Sequence, residues 1–151
     1  MSGLRILGIG SPSGDDQAGW LVIDALRAAG LGNCPGRVID KLDRPGANLI
    51  PLLQDADHVI LIDAMQGGGV AGTLRHFDRA DWSAYPGGLS THGFGVLGAV
   101  SLARELGSVP PRLDLYGIEI GSALPGEAPC AAVRAAALSL AARLRGEVDD
   151  V

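Results

Sequence analysis

The chain has 151 residues, of which 47% are hydrophobic and 19% charged, with a formal net charge of -5. That length suits one domain with a single core, residues 1–151, and that balance is the opposite of a disordered chain's. Lys and Arg nowhere gather into a stripe, which argues against nucleic acid as a partner.

The 23 glycines have no three-residue period, so they read as turns and close packing. Cys34 and Cys130 lie far apart beside Pro35 and Pro129. They form neither CxxC nor a zinc-ligand spacing and read as two free thiols. No apolar run reaches the roughly 18 residues of a membrane span. The first strand is expected to begin too early for a signal peptide, and the expected location is the cytoplasm.

LRILGI (4–9) predicts a strand buried on both faces. After the loop SPSGDD, the spacing of Ala18, Leu21, Val22, Ala25, Leu26 and Ala29 predicts an amphipathic helix closed near Gly30 or Gly32. RVIDKL (37–42) predicts a second strand. ANLIPLLQ has a helical pattern, with Pro51 in its first turn or kinking it. HVILID (58–63) is the clearest strand, and GTLRHF (72–77) follows from a glycine turn. A long loop with Trp82 and Tyr85 leads to a helix predicted from His92 to Leu106, ended by Pro110 and Pro111. RLDLYGIEI (112–120) predicts the last strand, and Val133, Ala136, Ala137, Leu140, Ala141 and Leu144 a C-terminal helix.

Strands alternating with helices imply an α/β sandwich around a mainly parallel twisted sheet of about five strands. GTLRHF follows its predecessor too closely for a helical crossover, so it is expected to run antiparallel on or near an edge.

Ligands of open α/β sheets gather beyond the carboxyl ends of the strands. Asp16 and Asp63 follow strands at those ends, and His92 opens a helix expected to pack back on the sheet. Two carboxylates and an imidazole suit a divalent ion such as nickel or zinc, with positions left for an incoming group. Simpler readings stand beside this one. Asp15 and Asp16 suit the cap of the first helix, and His92 suits an ordinary helix start. Asp63 fits a bland role less well, because a carboxylate closing an apolar strand needs a partner. His58 and His76 read as structural.

GIGSPSG lacks the third glycine of a dinucleotide loop, having Ser13 there, and two acids at the helix start would repel a pyrophosphate. No GxSxG elbow supports a serine nucleophile.

Gly8-Ile9-Gly10-Ser11, Gly14-Asp15-Asp16-Gln17-Ala18-Gly19, Ile62-Asp63-Ala64 and Ser90-Thr91-His92-Gly93 together resemble the NiFe-hydrogenase maturation endopeptidases. Order, spacing and length agree across nearly the whole chain, and Tyr116-Gly117-Ile118-Glu119 is similar to a segment of that family's last strand. Ser11 stands where the family usually has Asn, and Gln17 where it has Gly. The resemblance implies a three-layer sandwich with helices on both faces.

It also implies an endopeptidase that removes the C-terminal extension of a hydrogenase large-subunit precursor after nickel insertion. Asp16, Asp63 and His92 would then be the catalytic, metal-gripping trio. The nickel would come with the substrate, with no tightly bound cofactor of the protein's own. Asp43, Arg44, Pro45 and Gly46 stand where the family has a segment resembling D-G-G-T after the second strand, depart from it, and are expected to help choose the precursor. Trp82 and Tyr85 either pack in their loop or touch the precursor. Two other readings remain at this level: a non-catalytic metallochaperone for the nickel-loaded precursor, and a peptidase of the same fold with another substrate.

Overall fold

A computed structural model describes residues 3–66, 69–78, 96–121 and 127–149. Their five strands form one sheet in the order β2-β1-β3-β5-β4. β1 (Leu4–Gly10), β2 (Arg37–Asp43), β3 (His58–Met65) and β5 (Arg112–Glu119) run parallel. β4 (Leu74–Asp78) pairs antiparallel with β5 at the edge. Its place follows from the short link after β3, which cannot carry the crossover that a parallel strand needs.

The near-continuous apolar runs of β1, β3 and β5 become intelligible once both faces are covered. Alternate residues along a strand face opposite sides, and two cores result. On one face Ile6, Ile60, Ile62, Ala64 and Ile118 pack with residues of α1 (Ala18–Ala28) and α3 (Ala131–Asp149). On the other, Leu7, Ile9, Leu61, Met65, Leu113 and Leu115 pack with Leu49, Leu53, Ala99, Val100 and Ala103. The first two of those partners belong to a 3-10 helix, Gly46–Leu53, and the last three to α2 (Val96–Glu105). The molecule is the expected three-layer sandwich. Among the described residues no helix is long and apolar enough to cross a membrane.

Several boundaries differ from the sequence reading. β3 runs two residues beyond Asp63, because Ala64 and Met65 stay paired with Ile118 and Glu119. Asp63 is therefore inside the strand, not its closing residue. The helix expected at 47–54 is a 3-10 helix, Gly46–Leu53, with Pro51 inside it, a tighter form than the expected α-helix and one used in short pieces. β4 starts at Leu74, since Gly72 (φ 91°) turns to give its N–H to the Glu119 carbonyl. α2 begins at Val96 among the described residues, and His92, Trp82 and Tyr85 lie outside them.

At the amino ends of the parallel strands a buried acid gathers the edge of the sheet. Asp114 binds His58 Nε2 at 2.6 Å, His76 Nε2 at 2.8 Å and Arg112 Nε at 3.2 Å. His76 stacks on Tyr116 with ring centroids 4.4 Å apart, and the Arg143 guanidinium lies over that ring. Both histidines thus have structural roles that tie β3 and β4 to β5.

Burial pushes the Asp114 carboxyl up, but the hydrogen bonds from His58 and His76 and the charge of Arg112 outweigh it and bring it to about 2. A lowered carboxyl gives stability that is present above its unfolded value and lost as pH falls through the folded one. Asp114→Asn should destabilise the protein at pH 7 by about 1–3 kcal/mol, the range for a broken buried bond to a charged group. Urea melts should show the gap closing as pH falls from about 4 toward about 2.

Candidate active site

The first loop is drawn onto the strand ends by a contact between backbones. A methyl group on Gly19, in the first turn of α1, would lie 2.6 Å from the Ile62 carbonyl oxygen and collide with that of Ile9. Only glycine permits such an approach. The start of α1 therefore rests directly on β1 and β3, and the 3-10 turn before it (Gly14–Gln17) sits over their carboxyl ends.

Asp16, in that turn, is 2% exposed. Ser11 Oγ donates to its Oδ2 at 2.5 Å, and the Ser11 N–H donates to its backbone oxygen at 3.3 Å. Asp63 is 1% exposed and points to the α2 face of the sheet, between Leu61 and Met65 along the strand. Its Oδ1 accepts the Ala64 N–H at 2.8 Å. Its Oδ2 is buried with no hydrogen-bond partner among the described residues.

Burial, and then the nearby charge of Asp16, push the Asp63 carboxyl well above its usual range, against the lowering effect of the Ala64 bond. Two of the three expected site residues thus share one electrostatic environment. The third, His92, lies outside the described residues, and α2, the helix downstream of it, packs on the face to which Asp63 points. Among the described residues no group of three or more His, Cys, Asp or Glu is placed to hold a metal ion.

Asp15 has a different task from its neighbour. Both acids lie in the first turn of the 3-10 helix, whose N-cap is Ser13, while the N-cap of α1 is Gln17; neither N-cap residue makes a side-chain cap bond. Asp15 instead accepts the Cys130 N–H on Oδ1 at 2.6 Å and the Gly121 N–H on Oδ2 at 2.9 Å. The Cys130 thiol donates to Oδ2 at 3.3 Å. Cys130 immediately precedes α3, so Asp15 serves that distant helix as a cap and pins the exit of β5 to the first loop.

The Asp43–Gly46 tetrapeptide lies on the same rim. Asp43 ends β2 level with Gly10, and the Arg44 N–H donates to the Gly10 carbonyl at 3.1 Å. Arg44 adopts φ 43° and pairs with Asp43 at 2.6 Å. That bond, the charge of Asp43 and the more distant charge of Asp16 raise the Arg44 pKa against an opposing desolvation. Trp20 Nε1 donates to the Leu42 carbonyl at 2.9 Å and fastens this strand end to α1.

Sequence reasoning missed the roles of Ser11 and Asp15, and the pairing of buried Glu119 with Arg75 at 3.1 Å. Glu119 carried a usable signal, being, like Asp63, an acid in an otherwise apolar run. Nothing in the spacing marked Asp15 apart from Asp16.

A mixed five-stranded sheet with this rim defines a class, and the comparisons with known proteins agree. The family model described as HycI, hydrogenase maturation protease, matches residues 44–127, more than half of the chain. The chain belongs to that family of endopeptidases. The matched span includes Asp63 and His92; Asp16 lies before it.

The hydrogenase maturating endopeptidase HybD from E. coli is 23% identical, with a TM-score of 0.77 over 96% of this chain and 93% of that one. The NiFe hydrogenase maturation protease HycI from Thermococcus kodakarensis KOD1 is 25% identical, with a TM-score of 0.71 over 95% and 90%. An E. coli endopeptidase solved in solution is 22% identical, with a TM-score of 0.79 over 95% and 89%. The two E. coli likenesses speak for the fold alone. No curated protein sequence matches.

Asp63 holds its proton more tightly in the folded chain than in the unfolded one, so its contribution to stability is present at acid pH and lost as pH rises. Asp63→Asn should therefore raise stability at pH 7 by about 0.5–2 kcal/mol, a gain common when a costly functional group is neutralised. Thermal melts should show this advantage fading below about pH 4, where the unfolded carboxyl is also protonated.

Proposed function

We propose that this chain removes the C-terminal extension of a NiFe-hydrogenase large-subunit precursor after nickel has been inserted, with that nickel as its recognition handle. The observation that carries the reading is the buried Oδ2 of Asp63, without a hydrogen-bond partner among the described residues, beside the charge of Asp16. An orphaned carboxylate oxygen in a native interior calls for an explanation. A cation delivered by another molecule supplies one, since it would offset both the desolvation and the mutual repulsion of the two acids.

In this reading Asp16, Asp63 and His92 grip the nickel that the precursor already holds. Nickel seated there would supply positive charge and Lewis acidity beside the scissile peptide. The rest falls to the chain's own groups. Ser11 holds Asp16 in one orientation by its hydroxyl, and the Ala64 N–H does the same for Asp63. A carboxylate kept in this way can orient a water and take its proton. Holding the peptide against that water can supply about 7–11 kcal/mol of the barrier.

The Asp43–Gly46 tetrapeptide supports a partner-selecting role by its place on the rim, with Arg44 in the field of Asp16. No resident cofactor is needed, and the chain fits a cytoplasmic enzyme acting on one protein partner.

Incubation with nickel-loaded and nickel-free precursor, followed by mass measurement of the products, tests the reading. The nickel-loaded precursor should lose a C-terminal fragment and the nickel-free one should not. Asp16→Ala, Asp63→Ala and His92→Ala should each lower processing by at least about a hundredfold, as expected where several groups must act together. Binding of the nickel-loaded precursor without any cut would favour a metallochaperone instead. Replacing residues 43–46 by the corresponding four residues of a related protease should shift the preference between two precursors by about tenfold, roughly 1.4 kcal/mol. An unchanged preference would remove the tetrapeptide from the recognition surface.

A further inference from the structure

The sheet places a second charged group on the same face and rim as Asp63. Asp63 of β3 stands level with Gly117 of β5, and Gly117 stands level with Arg75 of β4. Residues level with one another across a sheet project to the same side. The row therefore reads acid, glycine, arginine, with no side chain at its middle position. Asp63 and Arg75 are two strand spacings apart, about 10 Å between backbones. An extended peptide covers that distance in about three residues.

Arg75 is held from behind. Its Nε donates to Glu119 Oε1 at 3.1 Å, and Glu119 is 1% exposed while the Arg75 side chain is 38% exposed. The chain leaving β3 closes over the acid: a methyl group on Gly69 would lie 3.1 Å from the Glu119 carboxyl carbon. Burying a glutamate is costly unless a cation offsets it, so the pair fixes the guanidinium in place. Among the described residues only Glu119 pairs with Arg75. The Nε is thus engaged, and the half-exposed guanidinium offers its terminal nitrogens as a planar fork of further donors. An arginine ordered in advance loses little freedom when it takes a ligand.

We propose that Arg75, buttressed by Glu119, binds an acceptor oxygen of the precursor chain about three residues from the scissile bond. The acceptor is a backbone carbonyl or an acidic side chain; both offer oxygens to the same fork. Arg75 is then a substrate-binding residue. This inference rests on the protease reading above, and supplies that reading with a second anchor that lines up the peptide beyond the metal.

The test compares the wild type with Arg75→Gln/Glu119→Gln, which removes both charges together so that no buried acid is left alone. Thermal melts confirm that this variant folds. With nickel-loaded precursor its KM should rise about tenfold, with kcat falling by much less, the pattern for binding shared by ground and transition states. Arg75→Lys, which keeps the charge and loses the fork, should recover only part of the affinity. A folded double variant with unchanged KM overturns the proposal.

A precursor with Asn and Gln in place of the Asp and Glu near its cleavage site separates the two acceptors. A persisting Arg75 effect identifies a carbonyl, and a vanished one a carboxylate. Should the wild type cut neither precursor, the protease reading fails on its own. The Kd of the double variant for the precursor, against that of the wild type, then still decides Arg75: a weaker Kd supports it and an equal one ends it.

Discussion

A carboxylate buried beside another carboxylate is a costly thing for a small protein to keep, and Asp63 is kept in that state. It is 1% exposed, one of its oxygens has no partner among the described residues, and the charge of Asp16 lies close enough to oppose its ionisation. Structural stability alone would favour an apolar residue or an amide there. The arrangement makes sense for a protein that meets a cation in the course of its work. In the function proposed above, a cation arriving with the substrate would partner the oxygen that has none among the described residues.

That strained pair exists only because the scaffold presses its parts together. The first turn of α1 touches β1 and β3 through Gly19, where any side chain would collide with the strand carbonyls. Asp15 then links the same loop to the end of β5 and the start of α3. Two neighbouring acids thus divide the labour. One turns inward to hold the architecture, and the other joins Asp63 at the rim. Exchanging their roles would demand a different turn.

The two ends of the sheet show contrasting treatments of buried acids. Asp114, at the amino ends, has His58, His76 and Arg112 around it and a carboxyl held at about 2. Asp63, toward the carboxyl ends, has one backbone donor among the described residues and is pushed upward. Satisfied charge at one end fastens the edge strand; at the other, one carboxylate oxygen has no partner among the described residues. Glu119 and Arg75 fall between these extremes, a neutralised pair with donors to spare.

The order of strands and helices was legible in the chain because each element carries its own period of apolar residues, and short links limit where a strand can go. β4 at the edge followed from such a link, and Asp63 stood out as an acid in an apolar run. The matching motifs around Asp16, Asp63 and His92 also pointed to the family directly. Local pattern was silent on contacts between distant segments. It did not distinguish Asp15 from Asp16, since their difference depends on Gly121 and Cys130, 106 and 115 residues away. It did not reveal that Arg75 stands in one row with Asp63, because strand register is settled by how whole faces pack. The linear chain determined which groups were available, and three-dimensional packing decided which were paired and which were left waiting, because burial and charge depend on neighbours that sequence distance does not measure.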